Sequence, residues 1–168
     1  MENMKNNTAE INKTMNAIGL ETDKSSELIF GLNELLANYQ VFYMNVRGFH
    51  WNIKGQKFFE LHVKFEELYN DLEVKIDEVA ERILMLGGNP LHTFGDYTTL
   101  SEVSAVKNVS DAEGTVKSLL DGMQTILIKQ RSILELSGEA DDEGTNALMS
   151  DYIREQEKLV WMYSAFLK

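Results

Sequence analysis

Apolar residues recur with the period of an α-helix along most of the chain, and polar residues fill the positions between them. The clearest stripe has eight members: Phe58, Leu61, Phe65, Leu68, Leu72, Ile76, Val79 and Ile83. The pattern predicts four long helices: from about residue 25 to 51, from 57 to the glycine pair at 87–88, from 110 to 138, and after an acidic turn at 139–143. Asn89 and Pro90 support the end of the second helix, because proline cannot continue a helix.

A long connection separates the second and third predicted helices. It covers residues 91–108, and a short helix is expected near residues 101–106. The sequence Ser110-Asp-Ala-Glu113 has the capping-box pattern and predicts that the third helix is capped by Ser110. In a four-helix bundle, a crossover of this length joins helices that run parallel. The predicted fold is therefore all-α: a ferritin-like four-helix bundle with a long middle crossover that carries a short helix.

The first 24 residues are rich in Asn, Thr, Lys and Glu and have weak periodicity, which predicts a mobile N-terminal arm. The expected domain organisation is this arm at residues 1–24 and one four-helix domain at residues 25–168. The arm is not basic, because its three lysines are opposed by four acidic residues: Lys5, Lys13 and Lys24 against Glu2, Glu10, Glu21 and Asp23.

Composition narrows the classes of function. The chain has 168 residues, enough for one domain with a sizeable core, and no cysteine, which excludes disulfides and thiolate metal sites. Its formal net charge of -11 disfavours non-specific binding to nucleic-acid phosphates and favours attraction of cations. Its apolar runs are too short to span a membrane and its N-terminus is unlike a signal peptide, so a cytoplasmic protein without membrane contact is expected.

Five polar residues are candidate metal ligands, and four of them flank the apolar stripe of the second helix: His50, then His62, Glu66, Asp77 and Glu81. Because the flank borders the buried face, these groups are expected to be at most partly solvated. Glu66 and Asp77 are eleven residues apart, which is about 16 Å along a helix axis. Since ligand atoms lie only about 2 Å from a metal, one chain cannot bring both pairs to one ion.

A second copy of the helix would solve this problem. If two copies cross antiparallel about a two-fold axis near Asp71 and Leu72, the 62/66 pair of one chain faces the 77/81 pair of the other. The same operation creates a second, equivalent site. The spacing therefore predicts an isologous homodimer with two metal sites at its interface.

Two imidazoles and three carboxylates suit a first-row transition metal, above all iron. Near pH 7 imidazole is mostly neutral and carboxylates are ionised, so the set is ready to bind a dication, and the carboxylates favour its oxidation to Fe3+. For any single pair, an ordinary solvated pair on a helix surface is the more common explanation, and His50 alone could be a buried core histidine. The agreement of all five positions with the dimer favours the metal site.

A di-iron motif inside one bundle is missing. Such centres use Glu-x-x-His pairs, but the residues three before the three histidines are Arg47, Phe59 and Asn89. The predicted bundle therefore has no carboxylate–histidine centre of its own, and a metal site would have to lie elsewhere.

The spaced motif resembles the ferroxidase signature of the Dps family, the small ferritins. It comprises His50-Trp51, His62-x3-Glu66, Asp77-x3-Glu81 and the following Leu86-Gly87-Gly88, and the likeness extends from about residue 22 to the C-terminus. The resemblance implies a site between two-fold-related subunits, with His50, His62 and Glu66 from one subunit. Asp77 and Glu81 would come from its neighbour. The family usually has Asp where this chain has Glu66, so this carboxylate reaches one methylene further.

The resemblance also implies a function. Twelve chains would form a hollow shell that oxidises Fe2+, preferably with H2O2 rather than O2, stores ferric mineral and protects against oxidative stress. Four acidic residues would line an iron-entry pore at a three-fold axis, although a solvated turn explains them equally well: Asp141, Asp142, Glu143 and Asp151.

Two other classes of function remain open. Some members of the family coat DNA through lysine-rich arms, so one alternative is a DNA-compacting protein with a vestigial metal site. Because this arm has no lysine excess and the chain is acidic, DNA binding is expected to be weak or absent. The other alternative is a shell made for assembly alone, in which the polar stripe serves only as a dimer interface.

Overall fold

Five α-helices make up the secondary structure of residues 15–168, the part of the chain that the computed structural model describes. They are α1 (Thr22–Asn52), α2 (Phe58–Met85), α3 (Phe94–Leu100), α4 (Ala112–Glu139) and α5 (Glu143–Phe166). The prediction of an all-α fold is confirmed. Residues 1–14, which make up the first part of the predicted arm, lie outside the described residues.

The four long helices α1, α2, α4 and α5 form a bundle whose directions follow from their contacts. Along α2 and α5, Lys75 pairs with Glu155 and Arg82 pairs with Asp142, so residue numbers rise on one helix as they fall on the other. Short loops at residues 53–57 and 140–142 likewise make α1 antiparallel to α2 and α4 antiparallel to α5. The helices α2 and α4 therefore run parallel, which confirms the predicted middle crossover.

The predicted apolar stripes form the core. Side chains from all four long helices are fully or almost fully excluded from solvent, among them Leu28, Leu32, Leu35, Phe42, Val46, Phe65, Leu72, Ile83, Leu119, Met123, Ile133 and Met149. The helices α1 and α4 approach closely at Gly122, where a Cβ would lie 2.6 Å from the ring of Phe42. Phe166 is 37% exposed because α5 ends there.

The short crossover helix lies earlier than the sequence indicated. It is α3 at residues 94–100, where Thr93 accepts a hydrogen bond from the backbone N–H of Asp96 at 3.2 Å. Residues 101–106, the expected position, are not helical. The reason lies in α1: the buried Asn38 Oδ1 accepts from the N–H groups of Glu102 and Val103, both at 2.9 Å, and holds this backbone against the bundle.

Two helix starts also differ from the prediction. The N-cap of α4 is Asp111 and not Ser110, because the Asp111 carboxylate accepts from the N–H of Gly114 at 2.7 Å. The helix α1 begins at Thr22, three residues before the expected position. Just before it, Asn16 donates to the carbonyl of Leu86 at the end of α2, at 3.3 Å.

Neutral polar side chains fill the centre of the bundle. Gln130 and Gln156 donate to the hydroxyl oxygen of Tyr39 at 2.7 and 2.8 Å, and Gln130 also donates to Gln156 at 3.0 Å. These three residues are at most 3% exposed, and burial raises the pKa of the Tyr39 phenol. Carboxylate–histidine centres of single bundles occupy this kind of position, so the contacts agree with the missing Glu-x-x-His motif.

Among residues 15–168, none of the helices combines the length and the apolar character that crossing a bilayer requires.

Candidate metal centre

His50 and His62 lie face to face where the α1–α2 hairpin closes. The short loop after α1 folds α2 back, so the last turn of α1 meets the second turn of α2. The two imidazole rings stack with centroids 3.7 Å apart and planes inclined by 20°. His50 is 9% exposed and His62 is partly exposed. The structure therefore brings together the two histidines that the sequence placed twelve residues apart.

Each imidazole is held by the backbone of the other histidine. The Nδ1 of His50 lies 2.7 Å from the carbonyl oxygen of His62, and the Nδ1 of His62 lies 2.9 Å from the carbonyl oxygen of His50. Because a carbonyl only accepts, both Nδ1 atoms must carry the proton. The lone pair of each ring then belongs to Nε2, the arrangement by which proteins prepare histidine for a metal.

The carbonyl of His50 is available because the helix ends there. In a continuous helix it would accept from the N–H of Lys54, four residues later. That N–H instead donates to the carbonyl of Ser110 at 2.9 Å, at the start of the segment that leads into α4. The last carbonyls of a helix need other partners, and the imidazole of His62 supplies one.

Aromatic side chains enclose the imidazole pair on the protein side. The ring of Phe58 stacks on His62 with centroids 5.0 Å apart, and the ring of Tyr69 meets His50 edge-on at 5.3 Å. The guanidinium of Arg47 lies 4.9 Å from the centre of the Tyr69 ring and 5.0 Å from the centre of the Trp51 ring. This environment limits the imidazoles to few orientations. Sequence reasoning missed Phe58 as part of the site, although its position one turn before His62 was a signal.

The three candidate carboxylates are exposed on α2 in the single chain. Glu66 is one helical turn after His62, whereas Asp77 and Glu81 lie about three and four turns beyond Glu66 on the same helix. Across residues 15–168, no cluster of three or more His, Cys, Asp or Glu side chains could hold a metal ion. The expectation that the carboxylates would be at most partly solvated is wrong for the single chain, because their stripe lies further from the core than the spacing indicated.

The same surface of α2 presents exposed apolar side chains. Phe59, Val63 and Val74 share the helical face of Asp77 and Glu81, and they are 82%, 48% and 57% exposed. Trp51, at the end of α1, is 59% exposed. An apolar surface that surrounds charged groups is typical of a contact with another protein.

The four acidic residues of the predicted pore have two different environments. Asp141, Glu143 and Asp151 are exposed, whereas Asp142 is 2% exposed. One oxygen of Asp142 accepts from Arg82 at 2.5 Å and from the N–H of Thr145 at 3.0 Å, and the other accepts from the Thr145 hydroxyl at 2.5 Å. Burial raises the pKa of Asp142, but these hydrogen bonds outweigh it and hold the pKa below its usual value. Asp142 therefore caps α5 and pairs with Arg82, so a pore prediction rests on the other three residues.

Comparisons with known proteins agree with the fold and with the family resemblance. The family of ferritin-like domains matches residues 29–168. The DNA protection during starvation protein of Porphyromonas gingivalis is 47% identical over 154 residues, which cover 92% of this chain and 97% of the relative. The structure of a Dps protein from Vibrio cholerae O1, described as a member of a broad superfamily of ferritin-like diiron-carboxylate proteins, is 57% identical with a TM-score of 0.91 and covers 92% of this chain and 98% of that one. Dps from Staphylococcus aureus is 35% identical with a TM-score of 0.82, covering 85% of this chain and 96% of that one.

Proposed function

The chain belongs to the Dps family of ferritin-like proteins, and from this premise we propose that it oxidises and stores iron. Fe2+ binds at sites shared between two subunits and is oxidised there, preferably by H2O2. The ferric product is kept as mineral inside a hollow shell of twelve chains. Iron is thus the substrate and the cargo of the protein, and its removal together with peroxide protects against oxidative stress.

The observation that carries this proposal is the imidazole pair. Both rings are fixed by hydrogen bonds from Nδ1 to a carbonyl, so both offer Nε2 to a metal without a further change of tautomer. Glu66, one turn after His62, adds a carboxylate from the same chain.

The remaining ligands come from a second subunit. Asp77 and Glu81 are about 16 Å or more along α2 from Glu66, too far to join its site within one chain. The exposed Phe59, Val63 and Val74 beside them give a partner subunit an apolar surface to cover. An antiparallel crossing of two α2 helices buries this surface and completes two equivalent sites.

The charges of the site suit the chemistry. Two neutral imidazoles and three carboxylates hold more negative charge than Fe2+ neutralises, which favours the Fe3+ product. Oxidation of two Fe2+ ions by one H2O2 consumes two protons and yields two Fe3+ ions and two water molecules, so peroxide is reduced without releasing a radical. Exposed carboxylates at Asp141, Glu143 and Asp151 attract Fe2+ toward an entry pore, as does the net charge of -11.

An iron-oxidation assay tests the proposal. The purified protein is loaded with Fe2+ without oxygen and then receives a pulse of H2O2, while the absorbance of the ferric product is followed. We expect fast oxidation with a soluble product in the wild type, because the oxidised iron stays inside the shell. A double variant, His62→Ala with Asp77→Ala, should oxidise iron slowly and precipitate it. Light scattering must show the variant to be assembled, and equal rates in the two proteins would contradict the proposal.

DNA protection is the second candidate function, because a relative at 47% identity is named a DNA protection during starvation protein. The net charge of -11 opposes direct binding, since affinity for DNA depends mainly on Lys and Arg contacts to phosphates. In a gel-shift assay at about 150 mM salt we expect no retardation of duplex DNA, in line with this dependence on charge. A salt-resistant shift would support the DNA-compacting alternative, and a shift only with added divalent cations would indicate bridging.

A further inference from the structure

Phe58 packs against the imidazole of His62. It lies at the first position of α2, one turn before His62, and its ring is nearly parallel to the His62 imidazole, with an interplanar angle of 22°. His50 covers the opposite face of the same imidazole at 3.7 Å. The His62 ring is therefore enclosed between two flat rings.

We propose that Phe58 is a positioning residue of the metal centre, which holds the His62 imidazole in the orientation that directs Nε2 to the metal. The inference rests on the proposed function, because it assigns a role at the same site. Phe58 does not contact the metal itself. It acts through His62, whose ring it prevents from turning.

The geometry gives the reason. A rotation of His62 about its Cβ–Cγ bond would drive the ring edge into Phe58 on one side or His50 on the other. The stacked rings fix the plane of the imidazole, and the hydrogen bond from His62 Nδ1 to the carbonyl of His50, 2.9 Å long, selects between the two orientations in that plane that differ by a half-turn. The ring contacts and the hydrogen bond together leave one orientation. Tyr69 restrains His50 from the far side of the pair, with centroids 5.3 Å apart.

A phenylalanine far from the site offers a control. Phe30 lies on α1 twenty residues before His50, which is about 30 Å along the helix axis, and it is 60% exposed. A change at Phe30 should therefore leave the imidazole pair in place. The comparison separates the effect of losing a phenylalanine from the effect of losing the ring that faces His62.

The experiment measures binding of Co2+ to the full-length, assembled protein through the visible absorption of the bound ion. Co2+ is a suitable probe because it takes imidazole and carboxylate ligands and is not consumed by oxidation under these conditions. The proteins are the wild type, Phe58→Leu, Phe58→Tyr, Phe30→Leu and His62→Ala. Thermal unfolding and light scattering are recorded for each protein.

We expect Phe58→Leu to weaken Co2+ binding about tenfold and to change the absorption spectrum, a loss typical of outer-sphere changes at metal sites. Phe58→Tyr keeps a flat ring and should restore both, and Phe30→Leu should match the wild type. Wild-type binding and spectrum in Phe58→Leu, with only a lower unfolding temperature, would overturn the inference. If Phe58→Leu does not fold, Phe58→Met fills the same space with a flexible side chain and decides in the same way.

These measurements distinguish failure of the positioning role from failure of the proposed function. Co2+ binding that depends on His62 and Phe58, in a wild type that fails to oxidise Fe2+, would support the positioning role and contradict the ferroxidase function. Co2+ binding that is unchanged in His62→Ala would overturn the inference, because the imidazole would then not be a ligand.

Discussion

Chains with His62→Ala and chains with Asp77→Ala should each lose iron oxidation, and mixing them should restore it in part. Removing outer-sphere partners of metal ligands commonly costs 10- to 100-fold, so losing a direct ligand is expected to slow oxidation by about a hundredfold or more. In a dimer of one chain of each kind, one interfacial site carries both changes and the other carries neither. With random pairing, about a quarter of all sites are intact.

The measurement is the initial rate of Fe2+ oxidation after the variants are unfolded, mixed and reassembled together. A mixture of His62→Ala with His50→Ala is the matched control. His50 and His62 are contributed to each site by the same chain. Every site of a mixed dimer therefore lacks one histidine, and no activity should return. If the mixture of His62→Ala with Asp77→Ala also remains inactive while light scattering shows full assembly, the ligands of a site do not come from two subunits.

Replacing Arg82 by methionine should have the largest effect on stability. The guanidinium donates to Asp142 at 2.5 Å and to the hydroxyl of Thr145 at 2.9 Å, and the side chains of Arg82 and Asp142 are only 13% and 2% exposed. Removing one partner leaves a buried carboxylate without its counter-charge, which typically costs about 3 to 5 kcal/mol. Denaturant unfolding should show a loss near the lower value, because Thr145 still donates two hydrogen bonds to Asp142.

A second ion pair provides the control. Arg131 and Glu157 join α4 to α5 as Arg82 and Asp142 join α2 to α5, but their side chains are 55% and 51% exposed. Exposed pairs contribute about 1 kcal/mol or less, so Arg131→Met should change the free energy of unfolding only slightly. Equal losses of unfolding free energy in the two variants would show that the contribution of the Arg82–Asp142 pair does not depend on its burial.

The same pair gives the wild type a defined response to acid. The pKa of Asp142 is below its usual value, because Arg82 and Thr145 together outweigh the effect of burial. A depressed pKa contributes stability that is fully present above the unfolded-state pKa of about 3.9 and is lost as the pH falls through the lower folded value. In Arg82→Met the folded-state pKa should rise toward the unfolded value, so acidification should remove less stability through Asp142 than it does in the wild type.

The bundle could be predicted because its signals are local and repeated. The apolar stripe from Phe58 to Ile83 has eight members, so the helix prediction does not depend on any single residue. The length of the crossover predicted that α2 and α4 run parallel. The grouping of His50 with His62 came from the family resemblance. Helical spacing showed that the 62/66 and 77/81 pairs cannot share one ion within one chain.

The predictions that were wrong concern features that depend on contacts between distant parts of the chain. The short helix moved to Phe94–Leu100 because Asn38, more than sixty residues away, binds the backbone of residues 102 and 103. The carbonyl that orients His62 is free only because Ser110 takes the N–H of Lys54. Nor could the acidic turn show that Asp142 is buried against Arg82 while Asp141 is exposed.

The neutral centre of the bundle has a consequence for the life of the protein. Because Tyr39, Gln130 and Gln156 carry no charge, the centre of the bundle needs no cation to neutralise it, and we expect each subunit to fold without iron. Under the proposed function, iron contributes free energy only between subunits, where ligands from two chains meet. Scarcity of iron would then leave the subunits folded, and abundance would strengthen their association.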